Sequence, residues 1–295
     1  MAFSKVDLNL AVAKDLVPVR DSSAYKNNFG HVFIIAGNAS MGGAGQMAGM
    51  AAVYSGAGLT SIATDQVNLP AIHTVLPEAM VVDWTNAATI DTMIEKADVV
   101  LIGPGFGRDN TSLWRQIKDA LAKANKALKV TLDADGLNLL ADDLNGDPIK
   151  SIKALLSPED QHTIILTPHI GEWRRLTNGK IPADDYVSVQ EWVNHEGVIL
   201  VLKGAPTEIY FPNDQAIWRN TGGNPGMAIG GMGDTLAGMI AGLSGQISKT
   251  HDAVKLAVFL HSYIADQLYE TQYVVLPSQL SAEIPKVMKS LSEKK

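Results

Sequence analysis

The chain of 295 residues contains no cysteine, and this absence excludes disulfide bridges and thiolate metal sites. No apolar run in it approaches the roughly 20 residues that a membrane-spanning helix needs. Residues 1–5 lack the basic segment and the apolar stretch of a secretory signal. These absences predict a cytoplasmic protein that has no membrane partner.

An excess of positive charge is also absent. The 31 acidic residues outnumber the 24 lysines and arginines and leave a formal net charge of -7. Because no basic stripe offsets this balance, nucleic acid is not expected as a partner. The sequence has no Gly-Lys followed by Ser or Thr, and Arg108 replaces the last glycine of a GxGxxG pattern that begins at Gly103. Neither a P-loop NTPase nor a simple Rossmann dehydrogenase is therefore predicted.

The chain does contain a series of short apolar runs separated by helical patterns. Buried strands are predicted at 31–36, 59–63, 99–102, 128–132, 163–166 and 198–202. Helices are predicted at 43–54, 110–124, 184–195, 235–243, 252–269 and 278–295, and an edge hairpin at 207–211 and 215–219. Apolar strands without alternation, set between helices, predict an α/β fold with a doubly wound, mainly parallel sheet and helices on both faces. With no repeat, linker or break in composition, residues 1–295 are expected to form a single domain.

Polar residues follow the ends of several predicted strands, in the segments 37–44, 103–107, 133–138, 167–172 and 203–207. Because ligands bind beyond the carboxyl ends of parallel strands, these segments are expected to converge on one cleft. Lys203 directly follows a buried strand and is expected to neutralise phosphate in that cleft. The structural alternative for Lys203 is a solvated lysine at a strand end.

Four further residues in these segments have both a functional and a structural interpretation. Asp133 and Asn138 either hold the acceptor or a metal shell, or they shape the Asp-Gly turn between them. His169 either binds a hydroxyl or carboxamide of the substrate or caps the helix that follows it. Glu172 either reaches Mg²⁺ through water or stabilises the first turn of that helix.

The most informative segment is the glycine-rich turn before the helix at 235–243. Glycines at 230, 231 and 233 allow tight turns and expose consecutive N–H groups at a helix N-terminus, which together form an anion site. Gly231 and Gly233 are expected to contact a nucleotide phosphate. Asp234 lies at this site, where a carboxylate can take a proton while phosphate chemistry occurs beside it. The structural alternative for Asp234 is a helix N-cap.

The order of several motifs carries a specific resemblance to a known family. These motifs are Ala36-Gly37 with Gly43-Ala44, Ser55-Gly56-Ala57-Gly58-Leu59, Gly103-Pro104-Gly105, Leu132-Asp133-Ala134-Asp135-Gly136-Leu137-Asn138, Thr167-Pro168-His169 with Gly171-Glu172, Val201-Leu202-Lys203-Gly204-Ala205 with Thr207, and Gly230-Gly231 with Gly233-Asp234-Thr235-Leu236-Ala237-Gly238. Over residues 25–286 the chain resembles the ADP- or ATP-dependent NAD(P)H-hydrate dehydratases, members of the ribokinase-like superfamily. The resemblance implies a doubly wound sheet and a repair reaction that removes water from hydrated NADH or NADPH.

The resemblance also implies ligands and roles. In the implied reaction, a phosphate from ADP or ATP is transferred to the ring hydroxyl and then eliminated. On general grounds, Mg²⁺ is also expected beside the nucleotide. Asp234 is expected to accept the proton of that hydroxyl. The residues implied to contact the hydrated dinucleotide are Ala44, Gly105, His169 and Asp234. Those implied to contact the adenine nucleotide are Lys203, Gly204, Ala205, Pro206, Thr207 and Gly233.

The chain departs from the family pattern at the glycine turn, where Ile229 and Met232 replace two threonines. Two alternatives therefore stay open: a ribokinase-like kinase of a small alcohol, such as a vitamin precursor, and a lapsed nucleotide-binding relative. The small-residue helix at 43–52 can pack closely against a neighbour, and relatives are commonly oligomers. A homo-oligomer such as a tetramer is therefore expected.

Overall fold

The computed structural model describes residues 3–145, 151–157 and 161–293. Ten strands in these residues form one sheet. The strands are β1 (Ser4–Asp7), β2 (His31–Ile35), β3 (Leu59–Thr64), β4 (Met80–Asp83), β5 (Val99–Ile102), β6 (Lys129–Leu132), β7 (Thr163–Leu166), β8 (Ile199–Leu202), β9 (Thr207–Tyr210) and β10 (Ala216–Asn220). The helices are α1 (Leu10–Leu16), α2 (Gly42–Tyr54), α3 (Leu69–Val75), α4 (Ala87–Lys96), α5 (Thr111–Lys123), α6 (Ala134–Leu144), α7 (Ile152–Leu156), α8 (Ile170–Leu176), α9 (Tyr186–Glu196), α10 (Met232–Gln246), α11 (Thr250–Tyr269) and α12 (Pro277–Ser292).

The strand order across the sheet is β1-β10-β9-β8-β7-β6-β5-β2-β3-β4. Neighbouring strands from β8 to β4 run parallel, whereas β9 runs antiparallel to both β8 and β10. The predicted mainly parallel sheet is therefore confirmed. The predicted edge position of the hairpin is wrong, because β1 pairs in parallel with β10 and forms the edge itself. β1 escaped prediction because it has four residues and most of them are exposed, so it shows no apolar run.

Helices cover both faces of the sheet, as the unalternated strands predicted. In β2, Phe33 and Ile35 belong to one apolar cluster, which also takes residues from α4 to α9. Val32 and Ile34 belong to a second cluster on the opposite face, with residues from α2, α3 and α10. A third cluster joins α10, α11 and α12 on that second face. Successive strand residues point to opposite faces, so a strand buried on both sides must be apolar at every position.

The small residues of α2 are explained by packing within the chain. A methyl group built on Gly238 of α10 would lie 2.2 Å from the carbonyl oxygen of Ala48, and one on Gly242 would lie 2.6 Å from that of Ala52. The two helix backbones therefore touch at positions where only glycine fits on α10. This contact accounts for the small-residue pattern without a second subunit, and the expected homo-oligomer stays a prediction.

Most predicted elements are present with ends shifted by a few residues. β5 and β7 have the predicted bounds, and β4 is a further strand that the sequence pattern missed. α10 begins at Met232, three residues earlier than predicted, so Asp234 lies inside its first turn. α12 ends at Ser292, and residues 294–295 of the predicted terminal helix lie outside the described residues. None of the helices in the described segments is long and apolar enough to cross a membrane.

Candidate active site

The chain reverses its direction of travel across the sheet between β2 and β5. Strands β2 to β4 follow one another toward one edge, and β5 to β8 follow toward the other. The loops after β2 and β5 meet at this point, where the Asn38 N–H donates to the carbonyl oxygen of Gly105 at 2.6 Å. A methyl group on Gly105 would lie 2.9 Å from Cβ of Ala44, so these two residues are adjacent. A crevice at such a switch point is the usual ligand position in this kind of sheet.

The glycine turn before α10 has the geometry of an anion site. Gly231 is the N-cap, with a left-handed φ of 98°. This backbone conformation favours glycine, and the Met47 side chain would have to move to admit a methyl group there. The backbone N–H groups of residues 231–234 donate to no group within the described part of the chain. Free donors at the N-terminus of a long helix, together with its dipole, attract an anion.

Asp234 is the third residue of α10, so the N-cap interpretation of this carboxylate is wrong. Burial and the nearby Asp133 carboxylate, partly opposed by the Lys203 ammonium, together raise the pKa of Asp234 to about 6. A base with a pKa near 6 is mostly ionised at neutral pH and still binds a proton usefully. The site therefore contains a carboxylate suited to accept a proton beside an anion-binding turn.

Lys203 lies under this first helical turn. Its Nζ is 2.7 Å from Oδ1 of Asp133 and 3.9 Å from Oε2 of Glu172. A methyl group on Gly233 would lie only 3.3 Å from Nζ. Burial disfavours the ammonium, but the Asp133 and Glu172 carboxylates outweigh burial and raise the pKa of Lys203. Lys203 is therefore a cation that two carboxylates hold in place at the anion site, and the solvated-lysine alternative is wrong.

Asp133 and Asn138 are both engaged with other protein groups. Asp133 is 1% exposed, and its Oδ1 accepts hydrogen bonds from Lys203 and from the Thr167 hydroxyl at 2.8 Å. Nδ2 of Asn138 donates to Asp135 at 3.2 Å, and its Oδ1 accepts from Arg175. These bonds favour supporting roles for both residues, and their direct contact with a substrate stays a prediction. Thr167 had no assigned role in the sequence, because its partner becomes visible only when β6 and β7 are adjacent.

His169 and Glu172 form a reciprocal cap at the start of α8. Nδ1 of His169 accepts from the N–H groups of Gly171 at 2.9 Å and Glu172 at 3.3 Å. Oε2 of Glu172 accepts from the His169 N–H at 2.8 Å. The structural interpretation of both residues is therefore present. The His169 side chain is 59% exposed, so its ring also remains accessible to a ligand.

The magnesium role of Glu172 finds no support in these contacts. Burial, partly opposed by Lys203, raises the pKa of this carboxyl, and its Oε2 is already engaged by the His169 N–H. The described segments contain no group of three His, Cys, Asp or Glu side chains that could hold a metal ion. These residues do not form a protein cage for Mg²⁺. An ion that enters with the phosphates of a nucleotide and keeps several waters does not need one.

A cavity of about 920 Å³ opens beside the anion turn. The predicted nucleotide residues Lys203, Gly204, Ala205, Pro206, Thr207 and Gly233 all contribute to its lining. Gly231 is not among them. A further wall of the cavity comes from residues 220–225 and from α11, and sequence reasoning assigned neither of them to the site. The Gly222-Gly223 pair was the available signal for this wall.

His261 on α11 also lines this cavity, although its position in the sequence suggested no role. Its Nε2 lies 3.1 Å from the Met232 carbonyl oxygen, at the first residue of α10. Burial lowers the pKa of His261 to about 4, so the ring is neutral at physiological pH. The neutral ring therefore donates to Met232 through Nε2 and helps to hold the start of α10.

The doubly wound sheet, the glycine turn and the cavity together define a ribokinase-like α/β protein. The family model described as NAD(P)H-hydrate dehydratase matches residues 32–286. The chain belongs to the NAD(P)H-hydrate dehydratase family.

Individual relatives agree with this assignment. The chain is 39% identical over 279 residues to the ADP-dependent (S)-NAD(P)H-hydrate dehydratase of Listeria monocytogenes, and the alignment covers 94% of each chain. A solved ribokinase-like superfamily protein from Enterococcus faecalis matches with a TM-score of 0.88 and 38% identity, covering 98% of this chain and 97% of that one. The ADP/ATP-dependent NAD(P)H-hydrate dehydratase from Bacillus subtilis, co-crystallized with ATP/Mg²⁺, matches with a TM-score of 0.79 and 30% identity, covering 96% and 97%.

Proposed function

We propose that this protein dehydrates hydrated NADH and NADPH at the expense of ADP. The observation that carries the proposal is the position of Asp234. This carboxylate lies in the first turn of α10, next to free N–H donors and close to the Lys203 ammonium. The relative from Listeria monocytogenes is named ADP-dependent, which favours ADP over ATP as the phosphate donor. Family membership favours this reaction over phosphorylation of a small alcohol.

The proposed reaction has two steps. The hydroxyl oxygen of the hydrated ring attacks the terminal phosphorus of ADP, its proton passes to Asp234, and AMP leaves. The ring nitrogen then expels phosphate from the adjacent carbon, and loss of a proton from the next carbon restores the ring double bond. Hydroxide is a poor leaving group and phosphate a good one, so the first step makes the second one possible.

The side chains of this site have distinct proposed roles in that reaction. Lys203 and the N–H groups of Gly231 and Gly233 are proposed to neutralise the transferred phosphate. Gly204, Ala205, Pro206 and Thr207 are proposed to contact the rest of the adenine nucleotide. Ala44, Gly105 and His169 are proposed to contact the hydrated dinucleotide. Mg²⁺ is proposed to enter the site bound to the nucleotide phosphates. We also propose that the protein is cytoplasmic, that it forms a single domain and that it assembles as a homo-oligomer.

The cavity supports an adenine nucleotide as the second ligand. Its volume of about 920 Å³ lies in the usual range for pockets that enclose a small molecule. One end of the cavity reaches Lys203 and Gly233, where a terminal phosphate would lie within reach of Asp234. A nucleotide in this cavity would therefore present its reactive phosphate beside Lys203 and the glycine turn before α10.

The test is turnover of hydrated NADH by the purified protein, with ADP and with ATP in separate reactions. We expect the absorbance of NADH to return only when a nucleotide is present, with AMP and phosphate formed in equal amounts from ADP. Absence of turnover with both nucleotides would overturn the proposal. In that case, nucleotide-dependent phosphorylation of a small alcohol would indicate a kinase, and nucleotide binding without any transfer would indicate a lapsed relative.

A further inference from the structure

Part of the cavity wall is formed by the loop that follows β10. Asn220 ends β10, residues 221–224 connect it to the short 3-10 helix Pro225–Met227, and all five residues line the cavity. The loop contains Gly222 and Gly223, and Gly223 has a left-handed φ of 112°. Glycine loses more conformational freedom on ordering than any other residue. A ligand that had to order this loop for itself would therefore bind more weakly.

The carboxylate of Asp266 on α11 holds this loop at two points. Its Oδ2 accepts from the backbone N–H of Gly223 at 3.0 Å, and its Oδ1 accepts from Nδ2 of Asn224 at 2.8 Å. Hydrogen bonds to an ionised acceptor are stronger than neutral ones. One side chain therefore restrains two successive residues of the cavity wall.

Ser262 lies one helical turn before Asp266 and holds the start of the same loop. Its Oγ accepts from Nδ2 of Asn220 at 2.8 Å and donates to the Phe259 carbonyl oxygen at 3.1 Å. A methyl group on Gly222 would lie 2.9 Å from this Oγ and 3.2 Å from Oδ2 of Asp266. The loop is therefore pressed against one face of α11, with no room for a side chain between them.

We propose, on the basis of the function proposed above, that Asp266 is a positioning residue for the adenine nucleotide. Asp266 itself is not among the residues that line the cavity. It acts through Gly223 and Asn224, by holding them in the conformation that gives the cavity its wall before the nucleotide arrives. The loop then loses its conformational entropy when the protein folds, and the nucleotide binds a preformed site. Asp234 and Lys203 belong to other elements, so phosphate transfer does not depend on Asp266.

The variant that tests this role is Asp266→Asn, which keeps the size of the side chain. Its amide replaces one carboxylate oxygen with an NH₂ group, so either the Gly223 N–H or Nδ2 of Asn224 loses its acceptor. We expect KM and Kd for ADP to rise about tenfold or more, the factor expected for losing hydrogen bonds to a charged group. We expect kcat at saturating ADP to change less than about threefold, because the transferring groups are intact. Glu270→Gln is the matched control, since it removes the same charge from the exposed end of α11 and should change neither constant.

Two further measurements keep the test decisive. Ser262→Ala removes the bond that holds Asn220, together with the bond to the Phe259 carbonyl oxygen within α11, and leaves Asp266 in place. We expect this variant to fold even if Asp266→Asn does not, and its KM for ADP to rise a few fold. Calorimetric binding of ADP needs no turnover, so weaker binding in Asp266→Asn would support the positioning role even if hydrated NADH proved not to be the substrate. A lower melting temperature with unchanged Kd for ADP, or a loss of kcat at unchanged KM, would overturn the proposal.

Discussion

Lys203 and Asp133 form an ion pair at the ends of two strands that are not adjacent, with Nζ 2.7 Å from Oδ1. β7 lies between β8, which leads into Lys203, and β6, which leads into Asp133, and it contributes Thr167 to the same carboxylate. The pair fixes the ammonium under the first turn of α10. Asp133 is almost fully buried, so breaking the pair leaves a charge that water cannot reach.

Replacement of Lys203 by methionine should therefore affect two properties. Loss of the cation should weaken ADP binding by about tenfold or more, because a phosphate loses its charge-assisted donor. It should also lower the free energy of unfolding by about 3 kcal/mol, because Asp133 is left buried without a partner. Calorimetric binding and urea unfolding measure the two effects.

The double variant Lys203→Met with Asp133→Asn separates them. Neutralising Asp133 should recover most of the lost stability, whereas ADP binding should stay weak. If the double variant also recovered ADP binding, Lys203 would have no direct part in holding the nucleotide.

Replacement of Asp234 by asparagine should lower turnover of hydrated NADH by about 100-fold, the usual scale for loss of a general base. The fold and ADP binding should be retained, because the glycine turn and Lys203 are unchanged. Asp142→Asn is a suitable control, since Asp142 is an exposed partner of Arg108 away from the cavity. Turnover within a few fold of the parent in Asp234→Asn would remove Asp234 from the proposed mechanism.

The raised pKa of Asp234 predicts two opposite pH effects. Activity needs the ionised form, so kcat/KM should fall as the pH drops below about 6. Because the pKa rises from 3.8 to about 6 on folding, the folded state binds this proton more tightly than the unfolded state. Ionisation of Asp234 therefore removes stability as the pH rises from about 4 to about 6.

Asp234→Asn cannot ionise, so it should be more stable than the parent protein above pH 6. After allowance for partial exposure we expect a gain of about 2 kcal/mol there, and none near pH 4. Urea unfolding of both proteins across this range measures the difference. A gain that did not depend on pH would show that charge burial at Asp234 is not its cause.

The contact between α2 and α10 predicts a sharp steric effect at Gly238. Gly238→Ala should lower the free energy of unfolding by about 2 kcal/mol, because its methyl group meets the backbone of Ala48 and the helices must separate. Gly43→Ala on α2 is the control, since a methyl group there has no neighbour within 4 Å and alanine favours a helix. Chemical unfolding should show no loss for Gly43→Ala. Equal losses at both positions would contradict the packing explanation.

A substitution at Met232 tests whether the replacement of the family's threonine at this position affects catalysis or only packing. It is 7% exposed and packs in the apolar cluster with Leu236 and Met239. Met232→Thr should therefore lower stability by about 2 kcal/mol and leave turnover unchanged. Ile229→Thr, at an exposed position of the same segment, should be close to neutral. A rise in turnover for Met232→Thr would instead mean that the missing hydroxyl limits catalysis.

Much of the fold was predictable because the relevant signals are local. The parallel strands are apolar at every position, and this pattern can be seen without knowing their neighbours. β1 and β4 were missed because short edge strands are partly exposed and lack that pattern. The predicted start of α10 was too late because a glycine such as Gly233 is typical of a turn. In the structure, Gly233 is the second residue of the helix.

The candidate site likewise has a part that was predictable from the sequence and a part that was not. The sequence by itself determined which segments carry the polar residues, since Lys203, His169 and Asp234 each stand at a strand end or a helix start. Only the tertiary structure decided their partners. Asp133 meets Lys203 because of the strand order, and Asp266 meets Gly223 because α11 packs beside the loop after β10. Such contacts join residues that are distant in the chain, so they depend on how the elements pack and leave no local pattern in the sequence.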